Sequence, residues 1–481
     1  MGSFQSVPSQ PCQAKEHFEP PPPYSIDSES SFEKEQLYPS SDELTKDHFD
    51  HFKNDFSSNP KNLLAVNAVT RNDISAVTIS REAVIKNIPV FSTKLELEGK
   101  ATNQKSSGRC WLFASTNVLR LILIKKYNLE DDFELSQSYL YFYDKLEKSN
   151  YFLESVLDLI EVDVNDRNLA ALLSDPASDG GQWDMLVNLI NKYGVVPKSV
   201  YPESFQSSNS KRLSYLVVVK LREFAARLRK EYRNGKSLEQ LRRLKMSMIS
   251  DIYRILAISL GTPPTEFDWC IYNKSKKLIE HRSLTPKKFF ENIIGYPLQD
   301  TLSLINDPRN EYNKLYTVKY LGNIVGGHPI RYVNIPIEEM KAIACRVLQS
   351  GRPVWFGCDV GQFSHNEFAT MDTALYDYES TFSVKLGLTK AERILYGESR
   401  MTHAMMFTGV HIENGRPVRW RVENSWGDNG PEKGFWIMSD AWFSEFVYQI
   451  VVEKRDAGKY ADVLKQDPIA FPPYDPFGSL A

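Results

Sequence analysis

The chain has 481 residues, 42% of them hydrophobic and 12% aromatic, with a net charge of −3. That apolar content supports sizeable cores and excludes wholesale disorder, while near-neutrality gives no global pull toward nucleic acid or an anionic membrane. No apolar run is long enough to span a bilayer as a helix. Five cysteines (Cys12, Cys110, Cys270, Cys345 and Cys358) are too scattered for a disulfide scaffold, and no CxxC pair offers a thiolate zinc site. The sequence calls for no cofactor, and a reducing, cytoplasmic compartment is the expectation.

Residues 1–55 carry eleven acids against four lysines, with prolines at Pro20 to Pro23. Residues 1–60 therefore read as a disordered acidic, Pro-rich tail. No basic segment followed by an apolar one marks a secretory signal. Met1-Gly2-Ser3-Phe4-Gln5-Ser6 fits the N-myristoylation pattern, with Cys12 near enough for a second acyl chain. A lipid anchor at Gly2 and Cys12 would add peripheral membrane association; the plain alternative is an ordinary start with an idle cysteine.

From about Asn62 the chain reads as globular. The spacing predicts helices over 110–126, where Leu112, Phe113, Leu119, Ile122 and Leu123 approximate one face, and over 135–160 and 182–193. A helical pair follows. Leu221, Phe224, Leu228 and Tyr232 run up to the Asn234-Gly235 turn, and Ser237-Leu238-Glu239-Gln240 is a capping box that opens the next helix. Val354–Asp359, Ala404–Ile412, Arg416–Glu423 and Phe435–Ser439 read as strands. Helices first and strands last indicate an α+β architecture.

The chemistry concentrates at Gln104-Lys105-Ser106-Ser107-Gly108-Arg109-Cys110-Trp111. A cysteine after a Gly-containing loop, at the first turn of a helix and beside Arg109 and Lys105, is placed to ionise. The Gln104 side-chain amide and the Cys110 backbone N–H would converge as an oxyanion hole. The base must come from elsewhere. Asn414-Gly415 between two apolar runs predicts a two-residue hairpin turn. With Glu413 facing Arg416, Asn424 falls opposite Met405 and His403 opposite Trp426. His403 and Asn424 are then diagonal neighbours on one face, within side-chain reach. An asparagine oxygen there would hold the imidazole tautomer, the third role of a triad.

Gln104 with Cys110-Trp111, then His403, then Asn424-Ser425-Trp426-Gly427 resembles the papain-like cysteine peptidases. Thr102–Trp111, Gly180-Gly181-Gln182-Trp183, Arg331–Asn334, Thr402–Met405 and Asp475–Ala481 resemble the bleomycin hydrolase family within them. The resemblance implies a two-lobed papain-like fold with an inserted helical arm. Its expected parts are a helical lobe over 61–200, the arm over 201–330, a β-rich lobe over 331–470 and a C-terminal tail over 471–481. It implies Cys110 as nucleophile, His403 as general base and acid, Asn424 as orienter and Gln104 as oxyanion donor. It also implies Gly180 and Gly181 as holders of the substrate backbone, and the tail, ending at Ala481, as an element lying in the active-site cleft. The implied function is a cysteine aminopeptidase acting on peptides in a homohexamer, with bleomycin-type amides and homocysteine thiolactone as further substrates.

The Cys110–His403 separation, 293 residues, is wider than in ordinary papain-like enzymes, and the surplus falls in the expected arm. A competing reading is a nucleic-acid-binding hexamer. Residues 211–250 hold twelve Lys/Arg against three Glu, a stripe able to bind phosphates without reading sequence. Its plain alternative is a solvated helical face.

Overall fold

The computed structural model describes residues 43–479. The calls on Gly2, Cys12 and Ala481 lie outside the described residues. The chain divides into two compact units. One holds the residues up to Ile79 together with Asp377–Lys385; the other holds Ser80–Tyr376 and Leu386 onward.

The first unit is helical where described. Lys46–Ser58 is started by a capping box in which Thr45 accepts from the His48 N–H and the His48 ring returns the contact, with Asp47 in the first turn. Local capping thus makes a helix where acidic composition suggested only a tail. Pro60–Val69 follows, started by Asn59 with Pro60 at the first helical position.

In the second unit Cys110–Tyr127 is the central helix. It is buried on nearly every side, so the single apolar face expected from the sequence is absent. It packs on the strand His403–Glu413 and on the helix Gln137–Asp158. Asn128, in the left-handed conformation, ends it after Lys125 and Lys126. Lys211–Arg233 and Leu238–Leu260 form the antiparallel pair, each with one buried stripe. Leu213, Val217, Leu221, Phe224 and Leu228 make the first, and the Ser237–Gln240 capping box opens the second helix.

The 201–330 segment is less helical than expected. Its helical pattern stops at Leu260, before Gly261 and two prolines. Phe267–Tyr272 and Leu278–Leu284 then form a two-stranded hairpin. Thr301–Ile305 and Lys314–Val318 join the main sheet. Thr301–Ile305 is buried at every position, and such a continuous short run cannot be assigned to strand or helix by periodicity alone.

Among the described residues the main sheet has twelve strands. Its centre runs Thr301–Ile305, Val447–Glu453, Val354–Cys358, His403–Glu413, Arg416–Glu423, Phe435–Ser439. The four strands expected from the sequence are neighbours in this order. One face carries Ala404 and Met406 in the core shared with the Cys110 helix. The other carries Met405, Phe407 and Trp420 in a second core covered by Ile337–Gln349. The His403 strand therefore divides two cores and delivers its first residue to the edge where the Cys110 helix begins.

Candidate active site

The hairpin fixes the first pair. Glu413 faces Arg416 as expected, and two irregularities follow. Thr408 is an extra residue on one strand and Val418 on the other, so Met406 again faces Glu423 in the register of an unbroken hairpin. Beyond the last ladder pair, His403 Nε2 lies 2.9 Å from Asn424 Oδ1. The Ser425 backbone N–H donates to the same Oδ1 at 2.8 Å, which fixes the amide orientation. An amide oxygen only accepts, so Nε2 carries the proton and Nδ1 is the basic atom of the neutral ring. The Trp426 ring lies 5.0 Å from the imidazole and covers the pair. Asn424 and His403 are both buried.

Cys110 is the first residue of its helix and almost fully buried. Its sulfur takes a backbone hydrogen bond from Ala404, the residue after His403. Helix start and hairpin edge are thus in contact. Burial pushes the thiol up to about 11, against the N–H groups of Ala404, Trp111 and Cys110 that favour thiolate. Burial likewise lowers His403 to about 4, opposed by the bond to Asn424. The sequence places this thiol to ionise with an imidazole partner; the cations beside it do little to lower it alone, for two reasons. The Arg109 guanidinium is committed to Glu203, with Nη2 2.9 Å from Oε2, so its charge is compensated. The Lys105 side chain is exposed to water.

Gln104 reaches the site by pairing, not only by proximity in sequence. Its N–H donates to the Ser425 carbonyl at 2.8 Å, and the Gly427 N–H to the Thr102 carbonyl at 2.8 Å. Its side-chain Oε1 accepts from Ser425 Oγ at 2.6 Å, and Nε2 donates to the Ser107 carbonyl at 2.7 Å. The amide is therefore held at both ends, with a second N–H on Nε2 left over. Gly427, at φ +85, lies so close to Asn103 that a Cβ would come within 2.5 Å of its Nδ2.

Gly180 and Gly181 lie against the same helix start. A Cβ on Gly181 would fall 2.4 Å from the Trp111 ring, and Lys148 Nζ donates to the Gly180 carbonyl at 2.5 Å. Asp179, not singled out from the sequence, organises this contact. Its carbonyl accepts from Trp111 Nε1 at 2.8 Å. Its carboxylate meets Lys145 Nζ at 2.5 Å, Ser214 Oγ at 2.7 Å and Ser210 Oγ. Burial alone would raise this carboxyl, but the facing Lys145 ammonium and the hydroxyl donors hold it well below the usual range. The available signal was an acid directly before a Gly-Gly pair; its partners lie 31 to 71 residues away.

A cleft of about 790 Å³ opens beside this cluster. Its lining includes Lys148 and Ser178, Ser399 to Thr402, and Pro473 to Pro476, Gly478 and Ser479 of the C-terminal segment. Thr402 precedes His403 and Ser178 precedes Asp179 in the chain, so the cleft borders the segments that carry these residues, while Cys110 and His403 themselves do not line it. Gln182 Nε2 donates to the Ser479 carbonyl at 3.1 Å.

Of the twelve Lys and Arg in the stretch 211–250, seven make contacts within the protein. Lys220, Lys236, Arg242, Arg243 and Lys245 pair with glutamates. Arg222 and Arg229 donate to backbone carbonyls. No described helix is long and apolar enough to cross a membrane.

A helix-borne cysteine meeting a histidine strand at the edge of two cores, in an α+β frame, defines the papain-like cysteine peptidase fold. The profile of the Peptidase C1-like family matches residues 43–478, and the chain belongs to that family. Aminopeptidase C of Listeria monocytogenes is 43% identical, covering 91% of this chain and 99% of the relative. Bleomycin hydrolase of Homo sapiens is 42% identical, covering 88% and 96%. The crystal structure of PepW from Lactobacillus rhamnosis HN001 superposes with a TM-score of 0.90 at 44% identity, covering 92% of this chain and all of that one. The chain is a bleomycin hydrolase-like peptidase of the papain class.

Proposed function

We propose that this enzyme is a cysteine aminopeptidase that removes residues from the amino end of peptides through Cys110, His403 and Asn424. The observation that carries the reading is the contact of the Cys110 sulfur with the Ala404 N–H, next to an imidazole whose Nε2 is held by Asn424. The names of the relatives, aminopeptidase C and bleomycin hydrolase, agree with it.

In this reading Cys110 passes its proton to His403 Nδ1 as the sulfur attacks the scissile carbonyl. Burial disfavours each ion alone, but thiolate and imidazolium form together and stabilise one another. The carbonyl oxygen, now negative, takes hydrogen bonds from the free Gln104 N–H and the Cys110 backbone N–H. The imidazolium protonates the departing amine, leaving a thioester on Cys110. Water, deprotonated by His403, hydrolyses it and restores the thiol. Asn424 keeps the proton on Nε2 throughout. Gly180 and Gly181 hold the substrate main chain as a strand kept flat against the Trp111 ring, which only the missing Cβ of Gly181 permits, with the Gly180 carbonyl anchored by Lys148.

The C-terminal segment closes one end of the cleft. A peptide then fits only with its own amino end at the closure, so single residues are released from that end. Bleomycin-type amides and homocysteine thiolactone present the same kind of carbonyl to Cys110. The exposed apolar residues of the helical pair, Tyr215, Leu216, Met246, Tyr253 and Ile258, supply a surface for assembly of six copies. Light scattering should then give about 330 kDa, six chains of 55.2 kDa. The activity is tested by mass spectrometry of an unblocked peptide and its N-acetyl twin. The unblocked peptide should yield a ladder shortened from the amino end and the twin should persist; internal cleavage of both would reject the reading.

A further inference from the structure

The C-terminal segment does not lie loosely in the cleft. Asp475 accepts from Arg309 Nη2 at 3.1 and 3.4 Å and also receives the Phe477 N–H at 2.9 Å. Arg309 is itself oriented by Asp307, which it meets through Nε and Nη2, each at 2.9 Å. The Asp307 side chain is fully buried, so the guanidinium is held from behind and Nη2 is shared between Asp307 and the tail carboxylate. Phe477 is buried, edge-on to Tyr332 and Tyr448, with Arg309 over its ring at 5.7 Å. Gly478 donates to the Asp475 carbonyl at 2.7 Å, and a Cβ there would come within 2.9 Å of the Pro473 carbonyl oxygen. The turn is thus closed to larger residues. Beyond it, Gln182, next to the Gly180-Gly181 pair, takes the Ser479 carbonyl.

We infer that Arg309, Phe477 and Gln182 form a three-point clamp that fixes how far the tail reaches along the cleft, and so how many substrate residues fit before the scissile bond. The inference rests on the tail being the element that closes the cleft. A tethered but unanchored segment would sample many positions, and its exclusion of longer substrates would be partial. Anchoring by a charge-assisted pair, a buried ring and a backbone contact converts it into a fixed stop. Gln182 links that stop to the residues proposed to hold the substrate backbone. Arg309, Phe477 and Gln182 are positioning residues and touch neither the reacting carbonyl nor the thiol.

The test compares full-length enzyme with Phe477→Ala, Phe477→Leu, Gln182→Ala and a deletion of residues 472–481. Each is assayed on one peptide, free and N-acetylated, with melting temperature recorded alongside. The readout is the ratio of blocked to free peptide cleaved, which a loss of stability alone does not move. The clamp predicts that Phe477→Ala and Gln182→Ala each raise this ratio about tenfold or more, approaching the deletion, with Phe477→Leu near the wild type. A deletion that raises the ratio while both point variants keep the wild-type value overturns the clamp and leaves the tail as the stop. A deletion that leaves the ratio unchanged overturns the tail's role, and the clamp with it. Should the deletion fail to fold, the two point variants decide the matter: a ratio unchanged in both overturns the clamp.

Discussion

Thr408 and Val418 are each the unpaired residue of a bulge, one on either strand of the same hairpin, and their offsets cancel. The first has a visible cause. The strand Thr93–Lys94 pairs with Val410 and Gly409, and a Cβ on Gly409 would come within 2.8 Å of the Thr93 carbonyl. The Thr408 carbonyl turns to the Leu95 N–H at 2.9 Å. An uncompensated single-residue shift would have turned His403 to the opposite face from Asn424. The compensating residue keeps the register that places them 2.9 Å apart.

That contact leads to the first prediction. Asn424→Ala should lower kcat by about 10- to 100-fold, and His403→Ala by about 10³-fold or more, because the first removes orientation and the second the base. Steady-state kinetics on an aminoacyl amide check the order; equal losses would remove the distinction between the two roles.

Acid sensitivity is the second prediction. Burial holds His403 at about 4 in the fold, against an ordinary 6.5 in the unfolded chain. A folded value below the unfolded one gives stability that is full above pH 6.5 and lost as pH falls toward 4. Between pH 7 and 4.5 the wild type should therefore lose about 2–3 kcal/mol more than His403→Gln. Urea unfolding at the two pH values measures this, and identical losses would contradict a buried neutral imidazole.

Third, the thiol should depend on its partner. With the imidazole gone, burial leaves Cys110 near 11, so roughly one molecule in 10⁴ is thiolate at pH 7. Alkylation of Cys110 in His403→Ala should be slow at pH 7 and rise about tenfold per pH unit up to pH 9.5. A plateau near neutrality would mean that another group lowers the thiol.

A fourth prediction concerns Gly181. Alanine there would place its Cβ 2.4 Å from the Trp111 ring, which the Asp179 carbonyl and Lys148 hold in place. Overpacking of this kind costs about 1–3 kcal/mol. Gly181→Ala should lower the melting temperature and reduce kcat/KM together, whereas Gly235→Ala meets nothing within 4 Å and should leave kcat/KM unchanged. Its φ of +91 confines its effect to local backbone strain.

What the sequence made legible was local. The helix start at Cys110, the Asn414-Gly415 turn and the Ser237–Gln240 capping box all act within a few residues. What it concealed depends on contacts made across the fold. Arg109 reads as a charge beside the thiol, but Glu203, 94 residues away, compensates it. Ser425 Oγ orients Gln104 across 321 residues. The Thr301–Ile305 strand, buried at every position, lacks the alternation that marks a half-exposed strand. The direction of the thiol shift followed the same pattern: helix start and nearby cations are visible in sequence, burial is not.

The most direct measurement is the site of labelling by substoichiometric iodoacetamide at pH 7. Among the described cysteines Cys270 is exposed and Cys110 buried, so accessibility alone would direct the reagent to Cys270 rather than Cys110. A thiol activated by His403 reverses that preference. Peptide mapping should find carboxamidomethyl on Cys110, with loss of peptide hydrolysis in proportion to its occupancy. Loss of activity with the label on Cys270 and an unmodified Cys110 would contradict the account.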